Sequence, residues 1–322
     1  MENIVDNNKK VLWIAPRFYN YYESFCKEFK SWENVTIETP FPKSSLIRKM
    51  LSSSLLYKTS VTKRILSKYK DRCLERMIKR VRNTQYDVVV IIRANFDYKY
   101  LALLKKLQPN AKFVLYEWDS ICYYDYTSAT KFFDRIVTFD IEDSKKYGFD
   151  YLPLFYTNTY KEIADSKSSA DIDVFYLGGV RDHRRDSLKK MAACLSEKRL
   201  KYCFNVVTND NPKDYIGMNV FRKPLTIDQF KDDYIRSKAI LEISWPNQNG
   251  LSIRVIEAVG ARKKIIIDTI LIKHEPFYST NNVFILGEDS LDNLDSFLNS
   301  DSDYGTEVNN YSIRSFAKAL IN

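Results

Sequence analysis

Between residues 239 and 268 the chain alternates in a way few folds can satisfy. An apolar run, 239–243, leads into the loop Trp-Pro-Asn-Gln-Asn-Gly at 245–250. A helical pattern over 251–259 follows, and a second apolar run closes at 265–267. Strand, loop, helix and strand in that order make a parallel βαβ unit, because two parallel strands need a covering crossover between them. Gly250, in the loop before the helix, permits close backbone approach. The helix start offers unpaired N–H groups and the positive end of its dipole to an anion. Arg254 and Glu257, three residues apart, share one helix face. A guanidinium suits phosphate and a carboxylate suits ribose hydroxyls, so the pair fits a sugar nucleotide. The competing reading is an ordinary surface pair worth a few tenths of a kcal/mol.

This block resembles the donor-binding segment of GT-B glycosyltransferases. Its Gly-Leu-Ser-Ile-Arg-Val-Ile-Glu-Ala spacing at 250–258 is similar to that of CgeB-like and capsule or lipopolysaccharide glycosyltransferases. The stretch from Phe139-Asp140 to Asp143, with Tyr147-Gly148 and Leu152-Pro153-Leu154, is similar to the same enzymes. In the retaining enzymes of this fold Glu257 matches the second of two glutamates, and Asn249 stands where the first would be. The resemblance implies an α/β GT-B fold: two Rossmann-like domains facing each other across a cleft, with a C-terminal helix crossing back to the first. It also implies transfer of a sugar, from a UDP-sugar, to a cell-surface glycan or a lipid-linked oligosaccharide. The alternative is a non-catalytic protein of this fold that binds polysaccharide or nucleotide for regulation.

With 322 residues, 45% of them hydrophobic, the chain has material for two cores. The continuous β-branched run 87–92 (DVVVII) suits a parallel sheet covered on both faces, and 10–15, 112–116 and 133–139 read as further strands beside it. We expect an acceptor domain over 1–157, a polar Ser- and Lys-rich linker at 158–171, a donor domain over 172–308 and a terminal helix within 309–322. No glycine-rich fingerprint follows the first strand, so a dinucleotide signature is missing from the first half. The second domain opens on the strand 173–177, followed by Gly178, Gly179 and an Arg-rich helix start. That order can cradle a phosphate. The resemblance places Gly178 and Gly179 near a diphosphate and makes Arg184 a ligand for it, with Asn249, Gly250, Arg254 and Glu257 completing the donor site.

In the first half, Arg17 and Arg93 follow strands, and 112–116 runs into Glu117-Trp118-Asp119 with Tyr123, Tyr124 and Tyr126 beyond. Carboxylates beside aromatic rings at a strand's end suit a sugar-handling site, with one carboxylate as general base. Neighbouring side chains on an extended segment point opposite ways, so one of Glu117 and Asp119 faces the ligand. Asp119 is the catalytic candidate, with Arg17, Arg93 and Trp118 for acceptor binding. The competing reading of Asp119 is a turn residue capping the next helix.

The net charge of +9 is local. From residue 43 to 82 there are 13 Lys or Arg against Asp71 and Glu75, so the segment holds +11 and the remainder 9 − 11 = −2. A core-facing helix with a solvated basic face explains the pattern, and so does a face resting on an anionic membrane. Nucleic acid is not expected, because aromatic interleaving is sparse and no recognition motif appears. No run of 18 apolar residues and no apolar leader core occur, and five scattered cysteines suit reduced thiols. The expected location is the cytoplasm, peripheral at the inner face of the plasma membrane. His183 and His274 stand apart from any cysteine pair, which disfavours a zinc site or a Ser-His-Asp triad; His183 reads as a solvated loop residue, with a minor phosphate contact as the alternative. The Asp-x-Asp pairs at 171/173 and 301/303 read as turn residues, so neither a metal nor another cofactor is expected.

Overall fold

The structure, a computed structural model, describes residues 9–40, 60–93, 97–166, 168–180 and 182–322. It divides into two compact units, 1–153 with 313–322, and 154–312.

The first unit is built on a six-stranded, wholly parallel sheet of β1 (Val11–Ile14), β2 (Val35–Glu38), β3 (Val88–Ile92), β4 (Lys112–Glu117), β5 (Arg135–Thr138) and β6 (Asp150–Tyr151). Their spatial order is β2-β1-β3-β4-β5-β6. The connections from β1 therefore leave in opposite directions along the sheet, which makes the β1/β3 boundary a topological switch point. All five β3 residues are buried, as the β-branched run demands of a strand covered on both faces. On one face, Leu12, Ile14, Val89, Ile91, Phe113 and Leu115 pack with Leu74, Met77, Ile78 and Val81 of α2 (Ser60–Val81) and with Tyr100, Leu101 and Leu104 of α3 (Tyr98–Leu107). On the other, Trp13 contacts Phe25 of α1 (Tyr21–Glu28), Phe29, and Phe316 of the terminal helix α10 (Ile313–Ile321). Helix α10 belongs to this unit although the chain reaches it last. Arg314 clamps it to the buried Glu28 at 2.6 Å, and Arg135 donates to the carbonyl of Ala319 at 2.7 Å.

The second unit carries β7 (Ile172–Gly179), β8 (Tyr202–Val207), β9 (Asn219–Phe221), β10 (Ser237–Glu242), β11 (Lys264–Ile267) and β12 (Val283–Ile285), again all parallel. Their order, β12-β11-β10-β7-β8-β9, is the Rossmann arrangement, with its switch point between β7 and β10. Leu188, Met191 and Leu195 of α6 (Asp182–Glu197) cover one face together with Leu294 and Phe297 of α9 (Leu294–Asn299).

Three boundaries differ from the sequence expectation. The stretch 158–171 is not a bare linker: α5 (Asn158–Ala164) buries Tyr160 and Ile163, packing on α7 (Ile227–Ile235) and α8 (Ile253–Gly260). Two apolar residues at i,i+3 sufficed for a helix in a segment whose polar composition concealed them. The unit boundaries fall at 153/154 and 312/313 accordingly. Gly178 and Gly179, read as following the strand 173–177, are the last two residues of β7, registered against Val206 and Val207. Residues 43–59 of the basic segment, together with Asn95 and Arg181, lie outside the described residues.

Candidate functional site

At the switch point of the second sheet the chain concentrates charge in a dry setting. Glu242 ends β10 with its carboxylate almost fully buried. Arg254 of α8 grips it in a bidentate pair, Nε to Oε2 at 2.6 Å and Nη2 to Oε1 at 2.9 Å. Arg184 of α6 reaches the same Oε1 with Nη2 at 3.4 Å. Two guanidinium groups share this one carboxylate directly, while Glu257 acts on Arg254 and Asp268 on Arg184 from further off. Burial works against the charge of Arg254, but Glu242 outweighs it and holds the group above its ordinary pKa. Arg184 is pushed down by burial and by repulsion from Arg254, with Glu242 pulling it back.

Arg184 is therefore placed otherwise than expected. Instead of opening toward a diphosphate, its guanidinium donates to the carbonyls of Ile243 at 2.9 Å and Gly179 at 3.2 Å and lies 4.5 Å from the centre of the Trp245 ring. With its side chain only 2% exposed, it works as an internal bracket joining α6 to the ends of β7 and β10. Gly178 likewise answers to its own surroundings. A Cβ there would come within 2.7 Å of the Tyr176 hydroxyl and 3.2 Å of Nη1 of Arg254. The missing side chain makes room for the one Arg254 nitrogen that Glu242 does not engage. Gly179 has no such crowding: the nearest atom to its virtual Cβ is the Val207 carbonyl at 4.0 Å.

Helix α8 starts beside these groups. Ser252 is its N-cap, in an extended conformation, and its hydroxyl makes no side-chain cap bond. That hydroxyl is buried and finds no partner among the described residues, so the first amides of the helix keep their capacity for an anion. Glu257, one turn along, is buried. Next to the network lies a cavity of about 470 Å³, walled by His183 and Ser187 of α6, the loop 243–249 including Trp245 and Asn249, and Asp268, Thr269 and Leu271 after β11. Asp268 fixes the loop by accepting from the Ser244 amide at 2.8 Å. Asn247 carries the loop through a left-handed turn at φ 60°, and Gln248 bonds the Gly250 carbonyl at 2.9 Å. His183 is not a solvated loop residue; its ring lies 4.9 Å from that of Trp245 in the cavity wall. Sequence reasoning passed over Glu242 and Trp245. The available signal was an acid inside the apolar run Ile-Leu-Glu-Ile, which can be buried only with a partner.

In the first unit, the β3 and β4 ends bring Arg93 and Asp119 together, Nη2 to Oδ2 at 3.1 Å. Arg93 adopts φ 60°, donates its amide to the Tyr116 carbonyl at 2.8 Å and lies 5.0 Å from the centre of the Tyr124 ring. Glu117 is fully buried, whereas the Asp119 side chain is 34% exposed. Burial pushes the Asp119 carboxyl up and Arg93 pulls it back, with burial prevailing. The loop holding Asp119 is pinned from below. Ser120 donates to Asp140, which caps α4 (Ile141–Tyr147), and the Ile121 amide donates to Asp143 at 2.8 Å. Trp118 contacts Phe18, with ring centres 5.8 Å apart. Arg17 turns away to Glu23 at 2.8 Å and stacks on Tyr22.

The acidic pairs are committed elsewhere: Asp171 to Arg236 at 2.6 Å, Asp173 to Lys238 at 2.8 Å and Asp303 to Ser279 at 2.6 Å. Among the described residues no cluster of three or more metal-ligating side chains occurs.

No family model matches this sequence, and no curated protein does. Solved structures do. The chain is similar to AviGT4, a glycosyltransferase involved in avilamycin A biosynthesis (TM-score 0.57, 12% identity, covering 97% of this chain and 94% of that one). It is similar to the apo form of WaaB, a lipopolysaccharide outer core galactosyltransferase (TM-score 0.55, 12% identity, 96% and 98% covered). A third likeness is to Anabaena Alr3699/HepE in complex with UDP-glucose (TM-score 0.51, 10% identity, 98% and 96% covered). At these identities the likeness establishes the fold, GT-B with two Rossmann-like domains.

Proposed function

We propose that this protein is a glycosyltransferase that moves a sugar from a UDP-sugar to a cell-surface glycan or lipid-linked oligosaccharide. The observation that carries the reading is the switch point of the second sheet. There a buried carboxylate fixes Arg254 beside Gly178, next to an uncapped helix start and a cavity of about 470 Å³, a size suited to a small-molecule ligand. The UDP-glucose complex of a protein with the same fold supports the choice of nucleotide.

In this reading the second unit holds the donor. Gly178, Gly179, Gly250, Arg254 and the first amides of α8 lie along the diphosphate, Glu257 takes the ribose hydroxyls, and Asn249 lines the sugar pocket. The first unit presents the acceptor through Arg93 and Trp118. Asp119 takes the proton from the acceptor hydroxyl as its oxygen bonds to the sugar's anomeric carbon. The bond from that carbon to phosphate breaks, and its electron pair leaves with the diphosphate. Positive groups already fixed in place stabilise that departing charge without reorganising, the largest single term in many such reactions. No step requires a metal or another cofactor.

The basic helix α2 supports a place at an anionic membrane face. Lys63, Arg64, Lys68, Lys70, Arg72, Arg76 and Lys79 are exposed, and Val61 and Ile65, one turn apart, are 66% and 46% exposed among them. Each basic residue near an anionic surface adds about 1 kcal/mol. No described helix is long and apolar enough to cross a membrane.

The first test is a thermal-shift screen of UDP, GDP, CDP and dTDP with wild type and Arg254→Ala. Saturation at one hundred times the dissociation constant stabilises by about 2.7 kcal/mol. A rise with UDP in wild type that is lost in Arg254→Ala supports the donor site; no rise with any nucleotide removes it.

A further inference from the structure

Among the described residues the most exposed large apolar side chain belongs to Ile216, at 87%. It stands at the tip of the turn 215–218, just before β9, and both ends of that turn are fastened. Tyr215 is buried in the core of the second unit, its hydroxyl donating to Asp210 at 2.6 Å, and Met218 packs against the same core. The Met218 amide donates to the Tyr215 carbonyl at 3.1 Å, and Gly217 takes φ 76°, the form of a type II turn. A Cβ on Gly217 would stand 2.6 Å from the Tyr202 hydroxyl, so the position suits glycine on both counts. Ile216 is therefore held out from a fixed platform. Turns of this type favour proline or a short polar residue at that position, so turn chemistry does not explain an isoleucine there.

The charged groups around the turn narrow the occupant. Lys213, Arg222 and Lys223 stand exposed on the segments either side of it. The acids of the same stretch are Asp210 and Asp214, and Asp210 is taken up by Tyr215. Arg222 donates to the carbonyls of Thr208 at 3.0 Å and Asp210 at 2.7 Å, which holds its charge beside the turn. Arg185 of α6 acts on Asp210 and Tyr215 from a neighbouring element. One apolar tip among basic side chains is a poor protein interface, since a stable one covers about 1,000 Å² or more around an apolar core. It suits an anionic bilayer, where a single side chain can enter the acyl boundary without a shaped partner while basic residues are drawn to the lipid phosphates. A nucleic acid would use the charges and leave the isoleucine in water.

We propose that the turn 215–218 is a membrane-contact point of the second unit, in which Ile216 enters the headgroup boundary of an anionic bilayer and Lys213, Arg222 and Lys223 meet its phosphates. The proposal rests on the membrane reading of helix α2 given above, adds a contact on the other unit, and is tested apart from it. Full-length protein is co-sedimented with vesicles of phosphatidylglycerol and phosphatidylcholine in equal parts, with phosphatidylcholine alone as the neutral control. Ile216→Asn should bind the mixed vesicles about tenfold more weakly than wild type, the effect of keeping one apolar side chain in water. It should weaken binding by a similar factor when added to Lys63→Glu with Lys68→Glu. In Ile216→Trp the new indole should be quenched by lipids brominated on their acyl chains, beyond the quenching of wild type. Both single variants should keep the wild-type melting midpoint, because the side chain they replace faces solvent. Binding lost in the α2 variant and unchanged in Ile216→Asn would overturn this proposal, pointing to a protein partner for the turn, and leave the α2 reading standing. The reverse pattern would uphold the turn and remove α2. Wild type that ignores anionic vesicles or binds the neutral ones equally, or an indole that brominated lipid leaves unquenched, would also overturn it.

Discussion

Removing the carboxylate of Glu242 should strike stability and binding at once, and the two effects can be separated. The group is nearly fully buried and sits within 2.6–3.4 Å of two guanidinium groups. A pair of unit charges about 4 Å apart interacts by roughly 4 kcal/mol at an effective dielectric of about 20. Truncating one partner of a buried ion pair typically costs about 3–5 kcal/mol, because the other is left uncompensated. Here two like charges would also face each other across the vacancy. Glu242→Ala should therefore lower the Tm by about 6–20 °C, taking about 2–4 °C per kcal/mol for a unit of this size. Replacing all three charges, as Glu242→Leu with Arg184→Met and Arg254→Met, should recover most of that loss, since an apolar triad of similar volume is often as stable as an ionic one. Differential scanning calorimetry measures both variants, and UDP titration accompanies it. The triple variant should be stable yet deaf to UDP. A Glu242→Ala protein melting within about 2 °C of wild type would refute the burial argument, and a triple variant that still responds to UDP would show that Arg254 serves only the fold.

Gly178→Ala should cost about 1–3 kcal/mol, because its methyl would meet the Tyr176 hydroxyl at 2.7 Å; adding Tyr176→Phe should return part of it in urea melts. Gly260→Ala drives a methyl to 2.3 Å from the Tyr156 ring, whose position leaves it no free end to swing. Its midpoint should fall further than that of Gly178→Ala, and Tyr156→Ala should rescue it in part. As general base, Asp119 must be ionised, so activity falls as pH drops through its pKa. Burial raises that pKa and Arg93 lowers it, so the acid limb of kcat/KM should lie above the ordinary carboxylate range near 4 and move to still higher pH in Arg93→Ala; a limb moving downward would exclude Asp119 as the base. Val61→Asn with Ile65→Asn should weaken binding to phosphatidylglycerol vesicles with little change in salt sensitivity, whereas Lys63→Glu with Lys68→Glu should remove the salt-sensitive part, both read by co-sedimentation.

Most of the sheet architecture was legible because continuous β-branched runs admit one environment, a strand buried on both faces. The run 87–92 became β3, and 265–267 lies within β11. The short edge strand β6 was missed; a two-residue pairing leaves no periodicity to read. Helix α5 was missed for the converse reason, since Tyr160 and Ile163 supply one helical spacing in a segment otherwise rich in turn formers. At the candidate donor site the residue types could be read and their partners could not. Arg254 and Glu257, three positions apart on one helix, read as phosphate and ribose ligands, with a mutual surface pair as the competing reading. Arg254 bonds instead to Glu242 on another element, twelve residues earlier, with Glu257 acting on it only at longer range. The contact between Phe18 and Trp118 was hidden for a similar reason. The two are far apart along the chain, and only the adjacency of β1, β3 and β4 brings their ends together.

The two switch points can be compared as electrostatic environments, and the contrast bears on the ligands proposed for each. Each lies at the carboxyl edge of a parallel sheet where the strand order reverses, and each has a non-glycine residue held in left-handed backbone close by, Asn247 in the second unit, Tyr19 and Arg93 in the first. The second unit couples two arginines to one shared carboxylate, with Glu257 and Asp268 acting on them at longer range, and adds an uncapped helix start whose amides suit an anion. Under the proposed reading, a nucleoside diphosphate would use those amides and the Arg254 nitrogen that Glu242 leaves free, and a neutral sugar would gain little from them. The first unit cancels each arginine with its own acid, Arg17 with Glu23 and Arg93 with Asp119, and spends its exposed surface on rings. A diphosphate would find little attraction from those paired arginines, whereas the proposed acceptor sugar would meet ring faces and the part-exposed Asp119 carboxylate. Exchanging the signs should exchange the preferences. Asp119→Asn leaves Arg93 uncompensated, so the first unit should gain weak, salt-sensitive affinity for inorganic pyrophosphate, measurable by calorimetry at low ionic strength in an Arg254→Ala background. Unchanged pyrophosphate affinity on removing the Asp119 charge would mean that local charge balance does not sort the two ligands.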